Sequence, residues 1–128
     1  MCGDEMLIYA LLPIIHLKKN PRHAYLLSFI IALSILVLSL SPLHELPDVP
    51  GNDKTHHLIA YAILAFPTSV TNQKVLSMTL LFILMGGAIE IIQPYVNRYG
   101  EWLDFIANTI GVVIGLAIGL FLNKLIKD

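Results

Sequence analysis

Charge is what this chain has least of. Aspartate, glutamate, lysine and arginine make up 13% of its 128 residues, where ordinary soluble domains carry about 25%. So few charges cannot cover a surface that faces water all round, which excludes a soluble globular domain. A single cysteine, Cys2, excludes an internal disulfide and any cysteine-based zinc site. The few basic residues lie scattered beside apolar runs, so the sequence offers no footprint for nucleic acid. What is present is apolar: 56% of the residues, with a mean hydropathy of +0.75. The chain reads as one domain of an integral membrane protein, with the lipid bilayer as its main partner.

Met6 to Ile15 is an apolar run with Asp4 and Glu5 before it, where a secretory signal would carry positive charge. Lys18, Lys19, Pro21 and Arg22 follow in place of a small-residue cleavage site. At roughly ten residues the run is short for a spanning helix. Residues 1–23 are therefore expected to form a cytoplasmic-side segment with a short interfacial or partly inserted helix, and a start of translation at Met6 stays open. Residues 24–128 form the transmembrane domain, with helices expected at about 24–41, 54–70, 75–93 and 103–123. The intervening PLHELPDVPGND, with three prolines and a glycine, cannot be helix. The expected fold is all-α: a polytopic membrane four-helix bundle.

Lys18, Lys19, Arg22, Lys74, Lys124 and Lys127 all fall on one side of such a bundle. The other side holds Glu45, Asp48, Asp53, Glu101 and Asp104, with Lys54 and Arg98 as its basic residues. The positive-inside rule then places both termini in the cytoplasm of a multi-pass protein of the cytoplasmic membrane.

Ionisable groups at membrane depth are costly and by default mark function. They concentrate in Gly86 to Asn108, which places Glu90, Gln93, Arg98, Glu101, Asp104 and Asn108 within little more than one helix-length. In the second helix Asp53, His57 and Tyr61 share one stripe, as do Gly86, Glu90 and Gln93 in the third. Asp104 and Asn108 continue in the fourth into Gly111, Gly115 and Gly119, a small-residue packing face. Three stripes with polar ends on one side imply one cluster. Each group also has an ordinary reading: Asp53 and Asp104 as first-turn residues, Tyr61 as an interfacial aromatic, His57 as a hydrogen-bonded core side chain. Glu90 resists this best, because it sits near a helix C-terminus, where the dipole disfavours an anion. Pairing with Arg98, Lys54 or His57 is the expected remedy.

These residues resemble a known family. DKTHHLIAY (Asp53 to Tyr61) is similar to the DKxxHxxxY element of VanZ-like membrane proteins, with His57 as the motif histidine. Gly86 to Gly111 resembles the second block, with Glu90 and Gln93 as ExxQ, then Arg98, then Asp104 and Asn108 as DxxxN before Gly111. The similarity covers nearly everything from Ala24 onward and leaves Met6–Leu17 unexplained. It implies a small bacterial multi-pass protein of the cell envelope. The family takes its name from a member linked to glycopeptide resistance, and no molecular activity is settled for it.

The residues support three functions. A ligand-processing site would use His57, Glu90 and Asp104 as catalytic groups, His57 acting as general acid or base. Asp53, Lys54, Tyr61, Gln93, Arg98 and Asn108 would bind a phosphate-bearing or lipid-linked envelope molecule, with Arg98 gripping an anion through two bonds. In a variant, a divalent metal sits between His57, Glu90 and Asp104. A transport module for an ion or small molecule, and a structural protein whose polar groups only clasp the helices, are the alternatives. Nothing in the sequence sets an oligomeric state.

Overall fold

The computed structural model describes residues 2–42 and 50–126. These form five α-helices: α1 (Cys2–Lys19), α2 (Pro21–Leu40), α3 (Asp53–Val70), α4 (Val75–Ile92) and α5 (Trp102–Leu125). A 3-10 turn, Gln93–Val96, follows α4, and no strand occurs among the described residues. The fold is an all-α bundle. Most of the expected proline-rich loop lies outside the described residues, as do Glu45, Asp48 and Lys127.

Three helices are long and apolar enough to cross a membrane: α2, α4 with its 3-10 extension, and α5. They expose large apolar side chains outward, among them Phe29 and Val37 on α2, Leu84 on α4 and Phe121 on α5. Such exposure suits lipid and not water. The less apolar α3 is the helix that the others enclose, packing against α1, α2, α4 and α5. Its partners are protein, so it can carry His57, Tyr61, Thr68 and Ser69 on its faces. Tyr61, Leu64 and Ala65 of α3 form the core with Phe82 of α4 and Val112 of α5.

The α3–α5 interface is the most extensive in the molecule, and glycine makes it. Gly111 and Gly115 lie directly on the backbone carbonyls of Leu58 and Ala62, where any Cβ would collide. Gly119 abuts Phe66 and Ser69 one turn further on. This close approach fixes α5 along α3 and so sets which polar residues meet at its end. Across the other face of α3, buried Ser28 donates to the Leu64 carbonyl at 2.8 Å. Ser34, by contrast, bonds back to Ile30 of its own helix at 2.9 Å, the ordinary use of a membrane serine.

Helix boundaries differ from expectation in three places. The first helix is longer than Met6–Leu17, running through Pro13 to Lys19. Asn20 then breaks the chain, and Pro21 opens α2 three residues before the expected start; proline at a first helical position is already set to the helical φ. In α3 the cap is Asn52, whose side chain accepts from the Lys54 amide at 2.9 Å. Asp53 is thereby released from capping and available to His57. Beyond α4, Gln93 belongs to the 3-10 turn and not to the helix.

The two ends of the bundle differ in chemistry. At one end Lys18 donates to the Asn123 and Ile126 carbonyls, tying α1 to the end of α5. There Asn123 also donates to the Val70 carbonyl, and Tyr25 donates to that of Gln73. At the other end, the start of α3, the end of α4 and the start of α5 come together.

Candidate functional site

At that second end the helix starts aim their first-turn side chains at one another. His57, one turn into α3, shares a 2.9 Å hydrogen bond between Nδ1 and Asn108 Oδ1 of α5. With the amide oxygen as acceptor, Nδ1 is the donor, and Nε2 is the ring nitrogen left facing outward. Nε2 faces two carboxylates, Asp53 Oδ2 at 3.9 Å and Asp104 Oδ2 at 3.8 Å. Asp53, His57 and Asp104 each offer a ligand atom, all within 4.8 Å of one another. Asp53 is mostly solvent-facing, whereas Asp104 is 3% exposed.

Lys54 supplies the positive charge. Its Nζ bonds Glu101 Oε2 at 3.0 Å and stands 3.6 Å from Asp104 Oδ1. Glu101 caps the start of α5 with its backbone and donates that N–H to Glu90 Oε2 at 3.0 Å. Glu90, on α4, is thus bonded to the polar link by the Glu101 amide, and Gly100 packs on the Glu90 backbone carbonyl so tightly that no Cβ fits. Glu101 and Asp104 therefore face the Lys54 ammonium, Asp53 and Asp104 face the His57 imidazole, and Glu90 joins them through the Glu101 amide.

Deeper in, several polar atoms are buried without a hydrogen-bond partner: the Tyr61 hydroxyl, Glu90 Oε1, Asp104 Oδ1 and Asn108 Nδ2. Gly86 lies against both Tyr61 and Asn108, so α4 reaches them through a residue without a side chain. Such groups are expensive to leave unsatisfied, about 1–3 kcal/mol each, and native cores hold few of them. Further along the helices the wall becomes Leu64, Ala65 and Val112, all apolar and fully buried. Among the described residues this apolar layer separates Tyr61 from Thr68 and Ser69.

Two expected site residues go elsewhere. Arg98 donates to the Ser41 carbonyl at 3.2 Å, satisfying the exposed end of α2, and forms no ion pair with Glu90 among the described residues. Gln93 donates to the Ser39 carbonyl at 3.2 Å in the same place. Both serve the α2 terminus, whose last carbonyls have no partner within their own helix. The expected pairing of Glu90 with Arg98, Lys54 or His57 is replaced by the Glu101 amide. The expected metal set also changes: Asp53, and not Glu90, joins His57 and Asp104. Glu101 was not among the expected binding residues, and it connects three helices; only its place in a polar link between apolar helices signals it.

Beside the cluster, α4 and α5 part to leave a cleft of about 330 Å3. Gly87, Ile91, Trp102 and Phe105 line it with apolar surface, and Glu90, Gly100 and Glu101 close its polar end. Trp102, the chain's one tryptophan, stands mostly exposed at its rim. No protein-family model, curated protein or solved structure matches this chain.

Proposed function

We propose that this is a VanZ-like bacterial envelope protein whose polar end takes the head group of a phosphate-bearing, lipid-linked molecule. The observation that carries the reading is the cleft between α4 and α5. Its walls are apolar, and its polar end is Glu90 and Glu101, the latter already bonded to Lys54. A ligand with an acyl or prenyl chain and a charged head matches that sequence of surfaces, since pockets combine an apolar body with few placed polar groups. Lys54 meets the phosphate, and the His57 imidazole is placed to act as general acid or base if the head group reacts. The orientation that serves such a ligand puts the polar end outside the cytoplasmic membrane and both termini in the cytoplasm. The clustering of Lys18, Lys19, Arg22, Lys74 and Lys124 at the opposite end supports it.

The apolar Leu64–Ala65–Val112 layer speaks against a transport path through one chain. A purely structural clasp predicts that the cluster matters only for folding. The two are separated in lipid nanodiscs by binding of a polyprenyl phosphate against the uncharged polyprenol. The head-group reading expects saturable binding of the phosphate alone, weakened in Lys54→Ala at unchanged folded yield. Equal retention of both lipids by wild type and variant would overturn it.

A further inference from the structure

The polar end holds more carboxylates than cations, and the geometry of α3 and α5 indicates where a further positive charge would sit. We propose that Asp53, His57 and Asp104 form a site for one divalent metal ion of the Zn2+ or Mn2+ type, an inference that rests on and deepens the head-group reading.

Three observations carry it. First, His57 Nε2 and one oxygen of each of the two carboxylates converge within 4.8 Å. An ion held at about 2.0–2.2 Å from nitrogen and oxygen ligands needs only a small inward turn of the solvent-facing Asp53. Second, the imidazole is held by its other nitrogen: Asn108 Oδ1 accepts from Nδ1 at 2.9 Å. Metal-ligating histidines are oriented in this way by a hydrogen-bond acceptor behind them. Third, Asp104 is 3% exposed and divides its two oxygens: Oδ1 pairs with Lys54 at 3.6 Å, and Oδ2 faces His57 Nε2 at 3.8 Å. A buried carboxylate is costly unless paired or coordinated to a metal. Lys54 and the α5 N-terminus offset part of that cost, and a cation between Oδ2 and His57 Nε2 offsets the rest.

The ligand set is one imidazole nitrogen with two carboxylate oxygens, which suits zinc or manganese better than calcium. Lys54 stays on Glu101, 3.0 Å away, and so remains free of the metal. With three protein ligands the ion keeps open positions, and a phosphate oxygen is the ligand the neighbouring cleft would deliver. Asn108 is a positioning residue in this arrangement and Glu90 is outside it.

The test uses the full chain, without a polyhistidine tag, stripped with chelator in detergent and titrated with ZnCl2 or MnCl2 alone. His16 and His23 stack at the opposite end, with Nε2 of the first 2.7 Å from Nδ1 of the second, so the His16→Ala/His23→Ala variant is titrated in parallel. One ion per chain is expected in both. His57→Ala and Asp104→Asn should abolish that binding, and Asn108→Ala should weaken it about tenfold to a hundredfold. Asp104 is buried, so Asp53→Asn is the decisive variant: its side chain is 69% exposed, folding should be unaffected, and affinity should fall. Absence of binding to wild type, or wild-type affinity in Asp53→Asn and His57→Ala, would overturn the proposal. No lipid is present, so that failure leaves the head-group reading intact. Metal binding without phosphate-lipid selectivity would sink the head-group reading and leave the metal site standing.

Discussion

His57 is the residue on which the polar end turns, because its side chain is bonded to α5 and faces carboxylates from both α3 and α5. Its role separates from a structural one by the choice of substitution. His57→Gln keeps a hydrogen bond to Asn108 within reach and removes the imidazole lone pair. It should leave the thermal unfolding midpoint close to wild type while abolishing function; a midpoint collapse would favour a clasp. Arg98 gives the opposite expectation. It bonds the Ser41 carbonyl and no carboxylate of the cluster, so Arg98→Ala should cost stability, about 1.5–3 kcal/mol for a hydrogen bond from a charged group. Ligand affinity per folded molecule should stay unchanged. If Arg98→Ala instead removed binding at full stability, the assignment of Arg98 to the α2 terminus would be wrong.

At the scale of elements, two interfaces on α3 are made in different ways and should respond differently. The α5 face depends on absent side chains. Gly115→Ala drives a methyl into the Ala62 carbonyl and should destabilise by about 1–3 kcal/mol, the usual cost of overpacking. Displacing α5 would also pull Asp104 and Asn108 away from His57. The α2 face depends on one hydrogen bond, Ser28 to Leu64. Ser28→Ala should cost about 0.6 kcal/mol, as interhelical bonds in membranes do, and Ser34→Ala nothing measurable. Unfolding in mixed micelles resolves both.

These elements also show what can be read from the chain alone. The glycine stripe, the ends of α3 and α5, and the helical spacing of Asp53 with His57 and of Asp104 with Asn108 follow from a 3.6-residue period. That period belongs to a single helix, and it sufficed to send these groups to one place. The destinations of Arg98 and Gln93 obey no period. They depend on where the end of α2 lies, more than fifty residues back along the chain. Glu101 stands in the polar stretch without a legible role for the same reason, since a link residue has no face until the link has folded. Asn52 displaced Asp53 as the α3 cap by one position, a shift within the ordinary uncertainty of a helix end. It matters here because it turns Asp53 from a backbone ligand into a neighbour of His57.

For the whole molecule, the bundle is polarised along its axis. One end is closed by lysine and asparagine on helix-terminal carbonyls, and the other gathers acidic residues around His57. An apolar layer lies between them, so whatever the acidic end does, it does from one side of the bilayer. Reporter fusions at the two termini should both report the cytoplasm; opposite locations would contradict the proposed topology. The central claim is that the cleft between α4 and α5 delivers a phosphate-bearing lipid head to the acidic end. Trp102 at the rim of that cleft is the chain's one tryptophan, so its fluorescence reports on the cleft directly. The most direct measurement is a titration of polyprenyl phosphate into nanodiscs holding wild type or Gly87→Leu. That substitution enters the cleft from its apolar wall, with its Cβ against the Phe105 ring. A saturable change in Trp102 emission that Gly87→Leu abolishes is the predicted result, and the same response from both proteins would contradict the account.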